Sequence, residues 1–531
     1  MGKLFDRIQV KKPPMNKFDL SHERKLSMHM GDLVPVFVQP IMPGDKFRVR
    51  QEVMMRMLPM LAPIMHRVNV TTHYYFVPNR LVWDEWEQFI SPQDPVGGVF
   101  PTPPVPPSFS FQEAVTAGMI QNGSLADHMG LPTDPAGSLD HDISISALPF
   151  RAYQLIWNEF YRDQHLQQPI NVSKASGTVT GGDLQDILTL NIRCWEKDYF
   201  TSARPWAQAG EPVGLPVDVE GFAPLIANTV TPGADPVRIK GDENSGTAVE
   251  YGILGGEPPA VPVGPPNLWA KISGLTSMTT INEFRRALKL QEWLERSARA
   301  GSRYIEQILV QFGVRVPDFR LQRPEFLGGS RNPMQISEVL STLQQVDPSS
   351  GDPVGTPQGD MSGHGLSFGN NNGFSQRFQE HGYVIGIMSV LPRTAYQQGV
   401  PRHLTLFDKF DYPWPLFGNL GEQEVKYKEL FYNGKTAQEP NLPDDTFGYQ
   451  SRYAEYKYGC STVHGEMKGS LNYWHMGRIF TSQPALDASF VSADPTRRIF
   501  AVDDSSDKLI VHIYNKVDAI RPLPYFGTPS I

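Results

Sequence analysis

The sequence predicts a mainly β chain whose opening and closing segments build one antiparallel domain around long interruptions, and three observations carry that reading. Three runs between residues 28 and 78 alternate side-chain character with the period of a pleated strand. Strand-like runs return at 383–391 and 508–515. Between them, 46 Gly and 47 Pro among 531 residues disfavour long helical bundles. Strands at both ends with helical and proline-rich excursions between them are the pattern of an antiparallel jelly roll with long helical and loop insertions.

Each element has its own justification. In the first run Val34, Val36 and Val38 lie on one face, and Pro35 interrupts the other, which favours an edge strand or a bulge. In the second, Phe47, Val49 and Val53 share a face while Arg48, Arg50 and Glu52 take the opposite one, as in a strand wet on one side. Val68, Val70, Thr72, Tyr74 and Phe76 line one face of the third, a β-branched and aromatic run that stops at Pro78. Residues 81–89 read as a short helix with Trp83, Trp86 and Phe89 on one side, and 92–107 as an extended proline-rich connection. A second helix starts at Pro149 and carries Phe150, Tyr153, Trp157, Phe160 and Tyr161 as an aromatic stripe that needs a partner surface. Thr280-Ile281-Asn282-Glu283 is a capping box opening a helix through Phe284, Leu288, Trp293, Leu294 and Ala298; Gly301 breaks it, and 304–312 continues as a second segment. Residues 320–332 and the glycine-rich 351–373 read as loops. Residues 383–391 read as a strand covered on both faces, 452–459 as a strand, and 508–515 as a strand with Leu509, Val511 and Ile513 alternating. The opening strands are expected to pair with 383–391 or 508–515, across hundreds of residues, so folding should be slow and in need of help.

A chain of this length implies several domains or one scaffold with long insertions. No apolar run reaches the length of a membrane span, the first ten residues lack a signal-peptide core, and Asp6 stands where a myristoylation signal wants Ser or Thr, so no membrane insertion is expected. Cys194 and Cys460 supply neither a disulfide framework nor metal-ligand spacing and read as buried thiols in a reducing compartment. The net charge of −8 is unevenly spread. Residues 1–25 hold seven Lys or Arg against three Asp or Glu and look like a basic arm; residues 207–275 hold eight acids against three bases, with 10 Pro and 11 Gly. The expected organisation is a basic arm over 1–27, the first part of the roll over 28–206, a Pro/Gly-rich insertion over 207–275 and the second part over 276–531.

Signals of chemistry are sparse. Gly365-Leu366-Ser367-Phe368-Gly369 matches the G-x-S-x-G pattern, but the glycine- and asparagine-rich flanks supply neither the strand before the serine nor the helix after it, so loop glycine is the favoured reading over a hydrolase using Ser367. Gly434-Lys435-Thr436 lacks the first glycine of a phosphate-binding loop, Glu429 standing there instead. The 13 histidines form no helix-face ligand pair, and Asp503, Asp504 and Asp507 read as a solvated turn before a calcium site, so neither metal nor cofactor is expected. Met54, Met55, Met57, Met60 and Met65 read as adaptable packing at a core or subunit contact. The basic arm has two readings, solubility or nucleic-acid contact through Lys11, Lys12, Lys17, Arg24 and Lys25, with Phe5 and Phe18 adding stacking.

Specific wording then narrows the choice. Phe18-Asp19-Leu20-Ser21-His22 with Lys25, the strand block 31–78, Leu148-Pro149-Phe150-Arg151-Ala152-Tyr153 with Ile156-Trp157-Asn158-Glu159, Asp198-Tyr199-Phe200-Thr201-Ser202-Ala203 with Pro205-Trp206, Gly301-Ser302-Arg303-Tyr304, Arg323-Pro324-Glu325, and Ala519-Ile520-Arg521-Pro522 with Phe526-Gly527-Thr528-Pro529 follow one another through nearly the whole chain. With these blocks the sequence resembles the major capsid proteins of the microviruses, small tailless phages with circular single-stranded DNA, most closely the gokushovirus branch. The resemblance implies an eight-stranded jelly roll, a T=1 icosahedral shell of sixty copies around the genome, no catalytic activity, and assembly in the cytoplasm of a bacterial host. It also implies a DNA pilot protein, a small basic DNA-binding protein and an internal scaffolding protein as partners, and a protrusion near the threefold axes formed by a variable insertion. Residues 207–275 depart from the family wording; being acidic and rich in turn formers, they are expected to project outward and contribute, through Phe222, Asp235, Asp242 and Tyr251, to attachment to a host-cell surface receptor. The competing classes are a secreted carbohydrate-binding jelly roll, which would be a monomer, and the Ser367 hydrolase.

Overall fold

The computed structural model describes residues 14–91, 101–133, 142–211, 221–224, 269–272, 281–300, 303–340, 361–370, 373–432, 442–501 and 506–526. The chain divides into two compact units, 210–294 and the remainder. The larger unit is mainly β, and its two principal sheets are antiparallel throughout.

The seven-stranded sheet runs Asn16–Asp19, Leu509–Arg521, Lys46–Met57, Met361–Asn370, Gln335–Leu340, with His22–Met28 also on Leu509–Arg521 and Ser375–Arg377 also on Lys46–Met57. The four-stranded sheet runs Glu325–Pro333, Val68–Pro78, Gly382–Pro392, Val34–Ile41. The opening strands thus do meet both distant runs, Val34–Ile41 and Val68–Pro78 flanking Gly382–Pro392 and Lys46–Met57 lying against Leu509–Arg521. Pro35 sits as its chemistry demands, on an edge strand whose register shifts between Phe37 and Pro35.

Lys46–Met57 alternates exposed and buried residues almost strictly, and Leu509–Arg521 does the same. Their inner residues meet those of the four-stranded sheet in two clusters. One gathers Val53, Met55, Val511 and Ile513 with Val34, Val36, Met388 and Val390; the other gathers Phe47, Val49 and Val517 with Phe37, Tyr74 and Phe76. Met55, Met57 and Met60 are core residues, whereas Met65 is exposed.

Val68–Pro78 and Gly382–Pro392 are buried on both faces. The second face of Val68–Pro78, with Tyr75 and Val77, is covered by a helical layer. In that layer Leu148–Ile156 carries a proline in its first turn and passes into a π-helical turn, Trp157–Tyr161. Phe150, Tyr153 and Trp157 bury their rings there, each contributing roughly 1.5–3 kcal/mol. Polar anchors fix the docking: the Tyr153 hydroxyl donates to Leu33 O at 2.8 Å, and Arg151 donates to Val82 O and Ala175 O at 3.2 and 3.1 Å.

Four elements differ from the sequence expectation. Residues 81–89 are a 3₁₀ turn, Asn79–Leu81, and a separate helix, Trp86–Ile90; the expected aromatic grouping survives, with Trp83, Trp86 and Phe89 ring centroids 5.0–6.0 Å apart. Most of 320–332 is the edge strand Glu325–Pro333, bulged between Phe326 and Gly328. Within 351–373, Met361–Asn370 is a strand. Its glycines answer to close approach, since a Cβ on Gly363 would stand 2.4 Å from Ala62 O and one on Gly365 2.5 Å from Met57 Sδ. Within 452–459 lies the short helix Ala454–Lys457, because Tyr453 takes φ +58°, with its N–H donating to Gln423 Oε1 at 2.8 Å; the strand is Thr446–Ser451.

In the smaller unit, Gly221–Pro224 pairs with Trp269–Ile272 as an antiparallel two-stranded sheet, and Ile281–Ala300 is helical, lying within the unit as far as Leu294. Tyr304–Phe312, in the larger unit, is helical as expected and closes at Gly313 with φ +70°. No helix among the described residues is long and apolar enough to cross a membrane.

Candidate functional site

The outward face of the seven-stranded sheet gathers charge from segments far apart in sequence. Because directly paired residues share a face, the registers Arg50↔Lys516, Arg48↔Asp518, Met54↔His512 and Lys25↔His512 place these side chains on one surface. Ser375–Arg377 and Asn16–Asp19 extend it with Arg377 and Lys17. Eight Lys or Arg (Lys17, Lys25, Lys46, Arg48, Arg50, Arg56, Arg377 and Lys516) stand there against four acids, Asp19, Glu23, Glu52 and Asp518, an excess of four positive charges in a chain of net charge −8. Lys17 pairs with Asp518 at 2.6 Å, and that contact holds the Asp518 carboxyl below its usual range. Glu23 is held by His512 at 3.2 Å and Lys25 at 3.8 Å. Lys46, Arg48, Arg50, Arg56, Arg377 and Lys516 make no ion pair among the described residues. Phe368 lies opposite Met54 on the same face, 74% exposed, and Tyr514 opposite Glu52 is half-buried.

Of the basic residues singled out in the sequence, Lys17 and Lys25 reach this face. Arg24 does not: it lies on the other side of its strand, donating to Pro35 O at 3.1 Å and His128 O at 3.2 Å. Lys11 and Lys12 lie outside the described residues. From Asn16 onward the basic segment is two short strands of the sheet. The sequence reading missed Arg56, Arg377 and Lys516 and took Arg48 and Arg50 only as the wet side of a strand; the available signal was their alternation, without the register that brings Lys516 beside them.

Two apolar surfaces are also on display. Residues 402–420 form a loop tied down from within. Asp411 accepts the backbone N–H groups of Phe407 and Asp408 at 2.9 Å each, which hold its carboxyl below the usual range, and Trp414 Nε1 donates to Lys409 O at 2.8 Å. The result is a fixed scaffold presenting Phe407 and Leu416, 89% and 83% exposed. The second surface follows Tyr304–Phe312, where Tyr304, Phe312, Val314 and Phe319 are exposed; the segment after it is anchored by Arg323, which pairs with Asp318 at 3.3 Å and stacks on Phe160 at 4.5 Å. Clustered exposed rings and aliphatic side chains mark surfaces for association.

The catalytic alternative loses its geometry. Ser367 is inside the strand Met361–Asn370, 1% exposed, so no strand-turn-helix elbow presents its hydroxyl. Cys194 and Cys460 are half-buried free thiols, and burial pushes the Cys460 thiol up to about 11. Asp507 accepts from Ser27 and pairs with His29 at 3.3 Å; Asp503, Asp504 and Gly434-Lys435-Thr436 lie outside the described residues. Among the described residues no group of three His, Cys, Asp or Glu could hold a metal ion. Phe222 falls on Gly221–Pro224, opposite Lys271, while Asp235, Asp242 and Tyr251 lie outside the described residues.

Comparison with known proteins returns one consistent answer. A family model described as capsid protein (F protein) matches residues 7–531. The chain is 34% identical to the capsid protein VP1 of Chlamydia phage 1, covering 100% of this chain and 98% of that protein. It is 34% identical to the capsid protein VP1 of Bdellovibrio phage phiMH2K, over 97% and 95% of the two chains, and 29% identical to that of Spiroplasma virus 4, over 98% and 95%.

Proposed function

Since the chain belongs to the microvirus capsid protein (F protein) family, we propose that it is the major capsid protein of a small phage and self-assembles into a T=1 icosahedral shell of sixty copies around a circular single-stranded DNA genome. Family membership makes it a virion component and a structural protein without enzymatic activity. The observation that carries the reading is the family match over residues 7–531.

The strand order supports the finer fold. Take His22–Met28, Val34–Ile41, Lys46–Met57, Val68–Pro78, Glu325–Pro333, Met361–Asn370, Gly382–Pro392 and Leu509–Arg521 as strands one to eight. The two sheets then run 1-8-3-6 and 2-7-4-5, the interleaving of an eight-stranded jelly roll, and the helical layer and the smaller unit both fall between strands four and five. The loop 402–420 and the Tyr304–Phe312 surface are the contacts between copies. The basic segment 1–25 faces the genome, with Arg24 turned inward, and the insertion 207–275 forms an outward protrusion that contributes to attachment to a host-cell receptor. A DNA pilot protein, a small basic DNA-binding protein and an internal scaffolding protein complete the assembly in the host cytoplasm.

Sedimentation and negative-stain imaging of the full chain expressed with its scaffolding partner test this. Shells are expected from the wild type, and unassembled, folded chain from Phe407→Ser/Leu416→Ser. A wild-type chain that stays monomeric refutes the reading.

A further inference from the structure

We propose that the outer face of the seven-stranded sheet is a single-stranded nucleic acid binding surface, taking backbone phosphates on Arg48, Arg50, Arg56 and Lys516 and bases on Phe368 and Tyr514. The proposal rests on the shell reading only for the identity of the strand it meets in the particle.

The face has the two components such binding needs, cations in excess of the carboxylates around them and ring faces left open. Two of its four carboxylates are engaged, Asp518 by Lys17 and Glu23 by His512 and Lys25, while the four named cations make no direct ion pair among the described residues, although Asp518 stands across from Arg48 and Lys516 lies within electrostatic reach of Asp19 and Asp518. Arg48 and Arg50 are two residues apart on one strand, so their side chains leave the sheet about 6.6 Å apart, and Lys516 stands directly across from Arg50. Arg48, Arg50 and Lys516 therefore form a cationic group on a rigid support, and Arg56 extends it along the same strand beyond Glu52 and Met54. A polyanion laid along it releases its condensed counterions, a gain that duplex and single strand share.

Phe368 selects between them. Its ring is 74% exposed in mid-sheet, next to Met54 and one strand from His512, and packs on no other ring among the described residues. An exposed phenyl ring beside a cationic row offers a stacking platform to an unpaired base; a duplex keeps its base faces covered, and an acidic polypeptide has none to offer. The positions carrying the row are solvent-facing by the alternation of Lys46–Met57, so neutral substitutions there leave the core untouched.

The test is binding of a thymidine oligonucleotide to the purified, unassembled full chain over a salt series. Replacing all four cations (Arg48→Gln, Arg50→Gln, Arg56→Gln, Lys516→Gln) should reduce the slope of log K against log salt by about 3, at roughly 0.7 per phosphate contact for a single strand. Phe368→Ala should weaken binding by about tenfold or more and leave the slope unchanged, a separation that a general loss of structure would not produce. On the wild-type chain, acetylation of Lys46 and Lys516 should slow when the oligonucleotide is added while that of exposed Lys468 does not. An unchanged slope, unprotected lysines, or tighter binding of polyglutamate than of the oligonucleotide overturns the proposal. A wild-type chain that forms shells but fails these tests refutes the surface and spares the capsid reading; one that binds but never assembles does the reverse.

Discussion

Gln51 and Asn515 form a polar layer through the middle of the β core, and cutting it should cost stability in a way that neither residue's size explains. Gln51 interrupts the apolar inner face of Lys46–Met57 between Val49 and Val53, and Asn515 interrupts that of Leu509–Arg521 between Ile513 and Val517. The register sets the two amides opposite each other, 2% and 0% exposed, with Gln51 Nε2 donating to Asn515 Oδ1 at 3.0 Å and Asn515 Nδ2 reaching Val36 O at 3.4 Å on the facing sheet. The two main core clusters between the sheets lie on either side of this pair. Gln51→Leu leaves a buried acceptor without its donor, and Asn515→Leu leaves a buried donor without its acceptor; each should cost about 1–3 kcal/mol. The double Leu variant creates neither orphan, so its cost should fall short of the sum by at least about 1 kcal/mol. Urea unfolding of the unassembled chain, followed by tryptophan fluorescence, closes the cycle. The pair also sets register, because a slip of two residues would put Gln51 against Ile513 or Val517; the double variant should therefore regain stability and still refold in lower yield. Penalties that add within about 0.5 kcal/mol would refute the coupling, and undiminished refolding of the double variant would refute the register role.

Two further perturbations have worked outcomes. A Cβ on Gly373 would stand 1.3 Å from Val49 O, beside the 2.9 Å bond from Val49 N to Phe374 O, so Gly373→Ala should abolish soluble full-length chain on expression. Gly182, in the helix Gly181–Leu188, has nothing within 4 Å of such a Cβ, and Gly182→Ala should raise stability by about 0.5–1 kcal/mol in the urea assay. Asp32 is held up to about 6 by burial, with the carboxylates of Asp507 and Asp494 adding to it. An acid whose folded-state value lies above its unfolded one favours the folded state below both values and loses that advantage as pH rises from about 4 through about 6. Asp32→Asn should thus match the wild type near pH 4 and exceed it by roughly 2–3 kcal/mol at pH 7; a wild type equally stable relative to the variant at both values would dismiss the buried charge.

How far the fold was legible follows from what each strand packs against. Lys46–Met57 and Leu509–Arg521 keep one face wet, so their period of two is written in the sequence, and even the break at Gln51 is visible as a gap in the apolar series. Glu325–Pro333 and Met361–Asn370 carry no such pattern, because they are spaced by contacts that only glycine admits. A Cβ on Gly329 would meet His73 Cδ2 at 2.5 Å and one on Gly369 would meet Asn332 Nδ2 at 2.3 Å. Glycine in a loop and glycine under a neighbouring strand look alike until the neighbour is known.

The same reasoning separates what was readable in the site from what was not. Sequence counts charge along the chain, so it joined Lys11, Lys12, Lys17, Arg24 and Lys25 into one basic segment. A sheet sorts charge by face, and alternation sends Lys17 and Lys25 outward while Arg24 turns toward Pro35 O and His128 O. It then adds partners that no linear window contains. Lys516 comes to Arg50 across 466 positions, through the closing strand that lies between His22–Met28 and Lys46–Met57, and Phe368 comes to Met54 across 314, through Met361–Asn370 on the other side of Lys46–Met57. The full surface exists only once both chain ends are in place: Arg48, Arg50 and Arg56 share one strand, but Lys17, Lys25 and Lys516 join them only when the closing strand pairs. Full binding through this face is thereby tied to completed folding, and full oligonucleotide affinity during refolding should appear together with the strand Leu509–Arg521 rather than before it. Lagging protection of Val511 and Ile513 amides in pulsed hydrogen exchange, with oligonucleotide binding already complete, would break that link.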